Sequence, residues 1–197
     1  MNADEVSSSA LVQRMVDAVE HVRRRLLRSC AVLRDAGVDY AVIGGNAVAA
    51  WVATIDQGAV RNTRDVDILV RRRDFPAVKA ALELAGFVHR RVSGIDMFLD
   101  NRAATARDSI HIVFAGEFLR PSEPEPAPDV SESHDLGPFR VASIEAIVRA
   151  KLTAFRDKDR VHLRDMLGVG LIDQTWTLRF SPVLSARLQQ IIDTPDG

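Results

Sequence analysis

The chain has 197 residues, of which 47% are hydrophobic and 27% are charged, and its formal net charge is −1. These values are typical of a globular protein and exclude recruitment of nucleic acid by the overall charge of the chain. The single cysteine, Cys30, excludes an internal disulfide and agrees with a reducing compartment. The longest apolar runs are too short to span a membrane and the first residues are polar and acidic, so we expect a cytoplasmic protein without a membrane partner.

The first segment predicts an amphipathic helix from Ser7 to about Asp35. Apolar residues recur there at steps of three and four positions, which is the spacing of one helix face. Gly37 follows in the usual place for a helix stop. The recurring residues are Leu11, Met15, Val19, Val22, Leu26, Cys30 and Leu33.

A strand followed by two glycines opens the most informative part of the chain. The apolar run Tyr40–Ile43 predicts the strand, Gly44 and Gly45 follow it, and Asn46 to about Thr54 predicts a short helix. Free backbone N–H groups at the start of a helix bind phosphate groups. A phosphate site is therefore expected at this corner, although a glycine pair after a strand is, by itself, typical of a tight turn.

A second predicted strand carries aspartates at alternate positions. Residues i and i+2 of a strand point to one face, so Asp65 and Asp67 present two carboxylates together while Val66, Ile68 and Val70 face the core. Two such carboxylates repel each other unless a cation lies between them. Asp65 follows the second glycine by 20 residues. The combination indicates a site for a metal-bound nucleotide, whereas alternating aspartates alone are also typical of a solvated strand edge.

Further elements follow in chain order. Asp74 is expected to cap a helix that has Pro76 in its first turn and ends at Ala85, before Gly86. Three strands, a proline-rich loop and a last helix complete the prediction. They are Phe87–Val92, Ile95–Leu99, Ser109–Phe114, the loop Gly116–Pro138, and a helix that begins at Ser181-Pro182 and ends before Pro195.

One long helix is predicted from Ser143 to about Leu167. Lys151 falls within its apolar stripe, and Asp159 and His162 continue the same face. A lysine on a core-facing stripe must pair or meet an anion. A triphosphate would satisfy Lys151, and so would a structural aspartate.

These residues resemble the nucleotidyltransferase superfamily that includes polymerase beta, and more closely its AbiEii-type and uncharacterised members. The resemblance covers most of residues 37–167 and is carried by four blocks. They are Val42–Ala49, Arg61–Leu69, Lys151–Arg156 and Asp159–Asp165.

The resemblance implies an α/β (α+β) fold with a short mixed sheet, flanking helices and a helical C-terminal region. We expect one compact unit with an N-terminal helix at 1–36 that packs on the core, a nucleotidyltransferase-like core at 37–142 and a helical region at 143–197. The implied activity is transfer of a nucleoside monophosphate from a nucleoside triphosphate (NTP) to an acceptor hydroxyl, with Mg²⁺ or Mn²⁺ as cofactor. The acceptor could be RNA, a protein or a small molecule, and a cognate antitoxin is a possible partner if the chain is a toxin.

The resemblance also assigns roles to individual residues. Asp65 and Asp67 would hold the metal, and together with Lys151 and His111 they form the expected catalytic set. The nucleotide would be bound by Gly44, Gly45, Asn46, Arg64, Lys151 and Asp159.

The chain departs from the family pattern at the third carboxylate. In Ser109–Phe114, His111 occupies the face where the family places that carboxylate. Three explanations are open: His111 acts as a general base, Asp96 or Asp108 supplies the carboxylate, or the second metal is lost. Loss or attenuation of activity, leaving a nucleotide- or partner-binding module, is the alternative function.

Overall fold

The computed structural model describes residues 3–101, 104 and 109–195, which form a mixed sheet with helices against it. The strands are β1 (Ala41–Ile43), β2 (Val66–Val70), β3 (Val88–Val92), β4 (Ile95–Leu99), β5 (Ser109–Phe114), β6 (Ser133–Asp135) and β7 (Arg140–Ala142). The α-helices are α1 (Ala3–Asp35), α2 (Gly44–Ala53), α3 (Phe75–Leu84), α4 (Ile144–Ala154), α5 (Asp157–Gly168) and α6 (Pro182–Asp193). Short 3₁₀ turns occupy Gln57–Ala59, Arg72–Asp74 and Gln174–Arg179.

The centre of the sheet is β2, in the strand order β3-β4-β5-β2-β1-β7-β6. β2 runs antiparallel to β1 and parallel to β5, while β1 pairs in parallel with β7. Four of the five residues of β2 are fully buried, which is typical of a strand covered on both faces. The fifth is Asp67, which is only partly buried.

The two faces of the sheet carry different groups of residues. Asp67 pairs with His111 across β2 and β5, so both side chains lie on one face, where Gly44 opens α2 against Asp67. On the opposite face Phe75, the first residue of α3, packs edge-on against Phe114 with ring centroids 5.3 Å apart. Helices α2, α4 and α5 contact one another, whereas α1 contacts α3 and β2. The predicted fold class, a mixed sheet flanked by helices, is confirmed.

Most predicted elements lie where the sequence placed them. β3, β4 and β5 agree within one residue, and α6 begins at Pro182 as expected. Helix α2 starts at Gly44, two residues earlier than predicted, because the glycine pair forms its first turn instead of preceding it. Within the described part of the chain, no helix combines the length and the hydropathy needed to cross a membrane.

The prediction of one long helix at 143–167 is wrong. Helix α4 ends at Ala154, Phe155 adopts a left-handed backbone conformation with φ of 48°, and α5 begins at Asp157. The side chain of Asp159 accepts a hydrogen bond from the backbone N–H of Arg156, which fixes the start of the second helix. Acidic residues in a first helical turn favour a new helix start, because they lie beside its free N–H groups.

Two smaller predictions are also corrected. The side chain of Asp74 makes no capping hydrogen bond, because residues 72–74 form a 3₁₀ turn that leads directly into α3. The segment Gly116–Pro138 is not all loop, because it contains β6, which pairs with β7. These strands have three residues each, and their order depends on the pairing of Val42 with Val141, a contact that no local pattern signals.

We predict that Leu69→Ala lowers the free energy of unfolding by about 2–5 kcal/mol, because it leaves a cavity in the central strand. Leu69 is fully buried, whereas Leu84 is 92% exposed at the end of α3. The matched control Leu84→Ala changes the same free energy by less than about 0.5 kcal/mol. Denaturant unfolding measures both variants, and equal losses would contradict this description of the core.

Candidate functional site

The site is built around a close approach between α2 and β2. Gly44 has a φ of +76°, and a Cβ atom at this position would overlap Oδ2 of Asp67. A Cβ at Gly45 would lie 2.7 Å from Oγ1 of Thr63, which is also too close. Gly44 therefore allows Asp67 to pack against the start of the helix, and Gly45 allows the segment before β2 to do the same.

Asn46 ties the same two segments together. Its Nδ2 donates a hydrogen bond of 2.7 Å to the backbone oxygen of Asp65. Arg64, the preceding residue, is exposed. The structure thus brings the predicted residues of the two motifs to one corner, with Asn46 as the link between them.

His111 is bonded on both sides. Its Nδ1 lies 3.3 Å from Oδ1 of Asp67, and its Nε2 lies 3.0 Å from Oγ of Ser109. The hydrogen bond with Asp67 raises the pKa of His111 above its ordinary value, burial opposes that rise, and the charges of Asp67 and Asp65 support it. The protonated ring is therefore favoured, and it holds the Asp67 carboxylate in a fixed orientation.

Asp65 lies beside a cation from helix α5. Oδ2 of Asp65 is 3.7 Å from Nζ of Lys158, which is largely exposed. Arg61 anchors the same loop to α5 through two hydrogen bonds of 2.8 and 2.9 Å to Asp165. Helix α5 therefore lies along one side of the carboxylate corner, which is the region of Asp65 and Asp67 beside the start of α2.

Lys151 is engaged by Asp159. Its Nζ donates a hydrogen bond of 2.8 Å to Oδ1 of Asp159, and the two side chains are only 7% and 1% exposed. Asp159 also accepts a 2.7 Å hydrogen bond from Nε of Arg156. Burial opposes ionisation of Asp159, but Arg156 and Lys151 hold the pKa of its carboxyl below the ordinary value. Of the two partners left open for Lys151, a triphosphate or an aspartate, the structure provides the aspartate.

Arg156 is an accessible cation beside the pair of Lys151 and Asp159. Its side chain is 44% exposed. Burial lowers the pKa of Arg156. The hydrogen bond and charge of Asp159 and the charge of Asp67 outweigh this effect, so the pKa is raised overall. Because the chain breaks at Phe155, Arg156 is the N-cap of α5, where its guanidinium reaches Asp159.

The structure removes one source of a third carboxylate. Met97 of β4 pairs with His111, so the neighbouring Asp96 points to the opposite face of the sheet. There Asp96 is buried, with Oδ1 2.8 Å from Nε2 of His89. The explanation that Asp96 supplies the third carboxylate is therefore wrong. The other candidate, Asp108, lies outside the described residues.

The donor set fits a metal ion that arrives with a nucleotide. Asp65 and Asp67 supply carboxylate oxygens, but among the residues that the structure describes no group of three or more His, Cys, Asp or Glu side chains could hold an ion. Mg²⁺ is commonly bound by one or two carboxylates together with substrate phosphates. The corner therefore suits a nucleotide-borne Mg²⁺ better than a preformed metal centre.

No protein-family model matches this chain, and no curated protein does. Several solved structures do. Antibiotic-resistance factor ANT(2'')-Ia is 13% identical over 90% of this chain and 92% of its own, with a TM-score of 0.53. An antigenic nucleotidyltransferase-like protein from Paracoccidioides brasiliensis is 16% identical over 89% and 88%, also with a TM-score of 0.53. The fold is nucleotidyltransferase-like.

A further solved structure that matches this chain is JHP933 from Helicobacter pylori, at 20% identity over 90% of this chain and 75% of that one, with a TM-score of 0.50. Each identity is low, so the likeness concerns the fold. The roles of individual residues rest on the geometry of this chain.

Sequence reasoning missed three contributors to the site: Ser109, Arg156 and Lys158. Ser109 shares strand parity with His111, so the alternation of β5 could have found it. The two cations depend on where α4 ends, and Phe155 carries no glycine or proline signal for that break. The acids Asp157 and Asp159 in the first turn of α5 were the available clue.

We predict that Asp67→Asn lowers the pKa of His111 towards its ordinary value, because the main cause of the raised pKa is removed. A histidine whose pKa is raised on folding stabilises the folded state. This stabilisation is complete at a pH below the ordinary histidine pKa and is lost as the pH rises through the raised pKa. The stability difference between wild type and Asp67→Asn is therefore larger at acidic than at alkaline pH. NMR titration of the ring and unfolding curves measure the two effects.

The control is Asp96→Asn, which removes a carboxylate from the opposite face of the same sheet. It leaves the titration of His111 unchanged. An unchanged His111 titration in Asp67→Asn would contradict the proposed pair.

Proposed function

We propose that this protein is a nucleotidyltransferase-like enzyme that transfers a nucleoside monophosphate from an NTP to an acceptor hydroxyl, with Mg²⁺ or Mn²⁺. The observation that supports this most directly is the position of Asp67. Its carboxylate lies between the first residue of α2 and His111. Asp65 precedes it in the chain by two residues. This puts metal-binding oxygens beside a helix N-terminus.

The start of α2 is the proposed phosphate site. Its N-cap, Ile43, has no side-chain capping bond, and the first turn of α2 contains no acidic residue. The N–H groups that follow Gly44 and Gly45 are therefore not engaged by a capping side chain, and the positive end of the helix dipole favours an anion there. Arg64 and Lys158 add positive charge at the exposed side of the corner.

Asp65 and Asp67 would hold the metal ion. Bound there, the ion would supply positive charge to the phosphate oxygens. Two carboxylates bring a charge of about −2, which balances one divalent ion. Since His111 offers at most one nitrogen, and the hydrogen bond with Asp67 raises its pKa and so favours the form that cannot bind a metal, we propose a single-metal site and slow transfer.

His111 and Lys151 act on other residues in this proposal. His111 orients Asp67 through Nδ1 and is itself held by Ser109. Lys151 neutralises the buried Asp159, which in turn holds the guanidinium of Arg156. Arg156 then takes the phosphate contact that the sequence assigned to Lys151, with Asp159 as its support.

The finer assignment to the AbiEii-type members rests on the four sequence blocks. It carries the same expectations as before: RNA, a protein or a small molecule as acceptor, and a cognate antitoxin if the chain is a toxin. Growth arrest on expression of the chain, relieved by a neighbouring gene, is the direct test of that assignment.

The second candidate function is a nucleotide-binding module without transfer. Two observations favour it. His111 stands where a third carboxylate would complete the metal site, and Lys151 is engaged by Asp159. Such a module would bind an NTP but form no product.

We predict that the purified chain, incubated with labelled NTPs, Mg²⁺ and a cell extract as source of acceptors, transfers label. The double variant Asp65→Asn/Asp67→Asn loses at least about 100-fold of this transfer, because it removes the metal ligands. The control Asp74→Asn, which removes a carboxylate remote from the corner, keeps wild-type transfer. Equal transfer by the double variant would contradict the enzymatic proposal.

Calorimetry separates the two candidate functions. NTP binding that is insensitive to Mg²⁺ and yields no product supports the silent module and contradicts the enzyme. Binding that is unchanged in the double variant contradicts both.

A further inference from the structure

The first half of α1 stands away from the rest of the protein. Residues 10–19 are exposed at every position, whereas Leu26, Cys30 and Leu33 in the second half are buried. The main contacts of α1 with other helices and strands are with α3 and β2. With a rise of about 1.5 Å per residue, the 17 positions from Ala3 to Val19 are about 25 Å long.

This projecting segment carries an exposed apolar stripe. Its large apolar side chains are Leu11, Val12, Met15, Val16 and Val19, with exposures of 54%, 56%, 64%, 50% and 40%. At about 100° per residue they occupy one side of the helix, on the same side as the buried Leu26 and Leu33. Arg14 and Asp17 lie on the other side. The stripe is the core-facing stripe of α1 continued beyond the core.

A helix of this composition needs a partner surface. Isolated helices of about 15 residues are marginal in water, and valines lower the helix propensity further. A contiguous exposed stripe on a helix is typical of an interaction site, since scattered single apolar residues would need no explanation. The first half of α1 is therefore expected to be covered in solution.

We propose that a second copy of this chain covers the stripe, through antiparallel pairing of the two α1 helices around Met15. The stripe matches itself in this orientation. Leu11 and Val19 lie four residues before and after Met15, so a two-fold axis at Met15 sets Leu11 of one copy against Val19 of the other. Met15 meets its own counterpart.

The charges along α1 favour the antiparallel orientation. The sequence has Asp4 and Glu5 before the stripe, and Arg23 and Arg24 beyond the stripe are exposed. Antiparallel pairing brings each acidic end towards the arginines of the other copy. Parallel pairing would set arginine beside arginine, and the two helix dipoles would also align unfavourably.

The contact spans about two heptads of each helix, which is short for an obligate dimer. We therefore expect monomer and dimer to exchange with concentration. The pairing is independent of the carboxylate corner and of the proposed activity.

Sedimentation velocity of the full chain across a concentration series tests the proposal. Wild type shifts from monomer to dimer as the concentration rises. Met15→Glu remains monomeric at all concentrations, because two carboxylates would meet at the two-fold axis. The matched control Gln13→Glu adds the same charge outside the stripe and dimerises like wild type. Far-UV circular dichroism and the unfolding midpoint of the main core show that both variants are folded.

Cysteine crosslinking tests the orientation. Mixed Leu11→Cys and Val19→Cys chains form a disulfide between positions 11 and 19 if the helices are antiparallel. The buried native Cys30 takes no part. Like-with-like disulfides at 11 and at 19 would contradict the antiparallel pairing. A wild type that is monomeric at every concentration, or a Met15→Glu dimer, would overturn the proposal and leave the stripe to a foreign partner.

Discussion

The closeness of Asp67 to the backbone of Gly44 is the constraint on which the rest of the site depends. The carboxylate occupies the space that a side chain at position 44 would need, so α2 can start there only with glycine. The register that pairs Ile43 with Asp67 then sets the start of the helix beside β2. The same residue pairs with His111 on the neighbouring parallel strand. One carboxylate thus joins a helix N-terminus, two strands and a histidine.

Local geometry explains which parts were predictable from the sequence. Alternation along a strand depends only on the strand itself, so the faces on which Asp67 and His111 lie could be deduced. Asp65 precedes β2. Lys151 was correctly placed on the core-facing side of its helix, where it is buried. The acids after Phe155 were a clue to a new helix start, but Phe155 itself carries no signal for the break. Its left-handed conformation depends on its surroundings, where the guanidinium of Arg160 lies 4.5 Å from the centre of its ring.

The order of the sheet depends on contacts between distant parts of the chain. β6 and β7 have three residues each and follow a proline-rich segment, so their pattern is too short to predict a strand. Their place is set by the parallel pairing of β7 with β1. In contrast, the apolar stripe of α1 is plain in the sequence, but only the structure separates its buried half from its exposed half.

The most direct test of the central claim is a crystal structure with a non-hydrolysable NTP and Mn²⁺, whose anomalous signal locates the metal. The account predicts a metal peak bonded to Asp65 and Asp67, with the triphosphate at the start of α2 beside Gly44 and Gly45. A metal peak away from both carboxylates, or a triphosphate elsewhere on the protein, would contradict it.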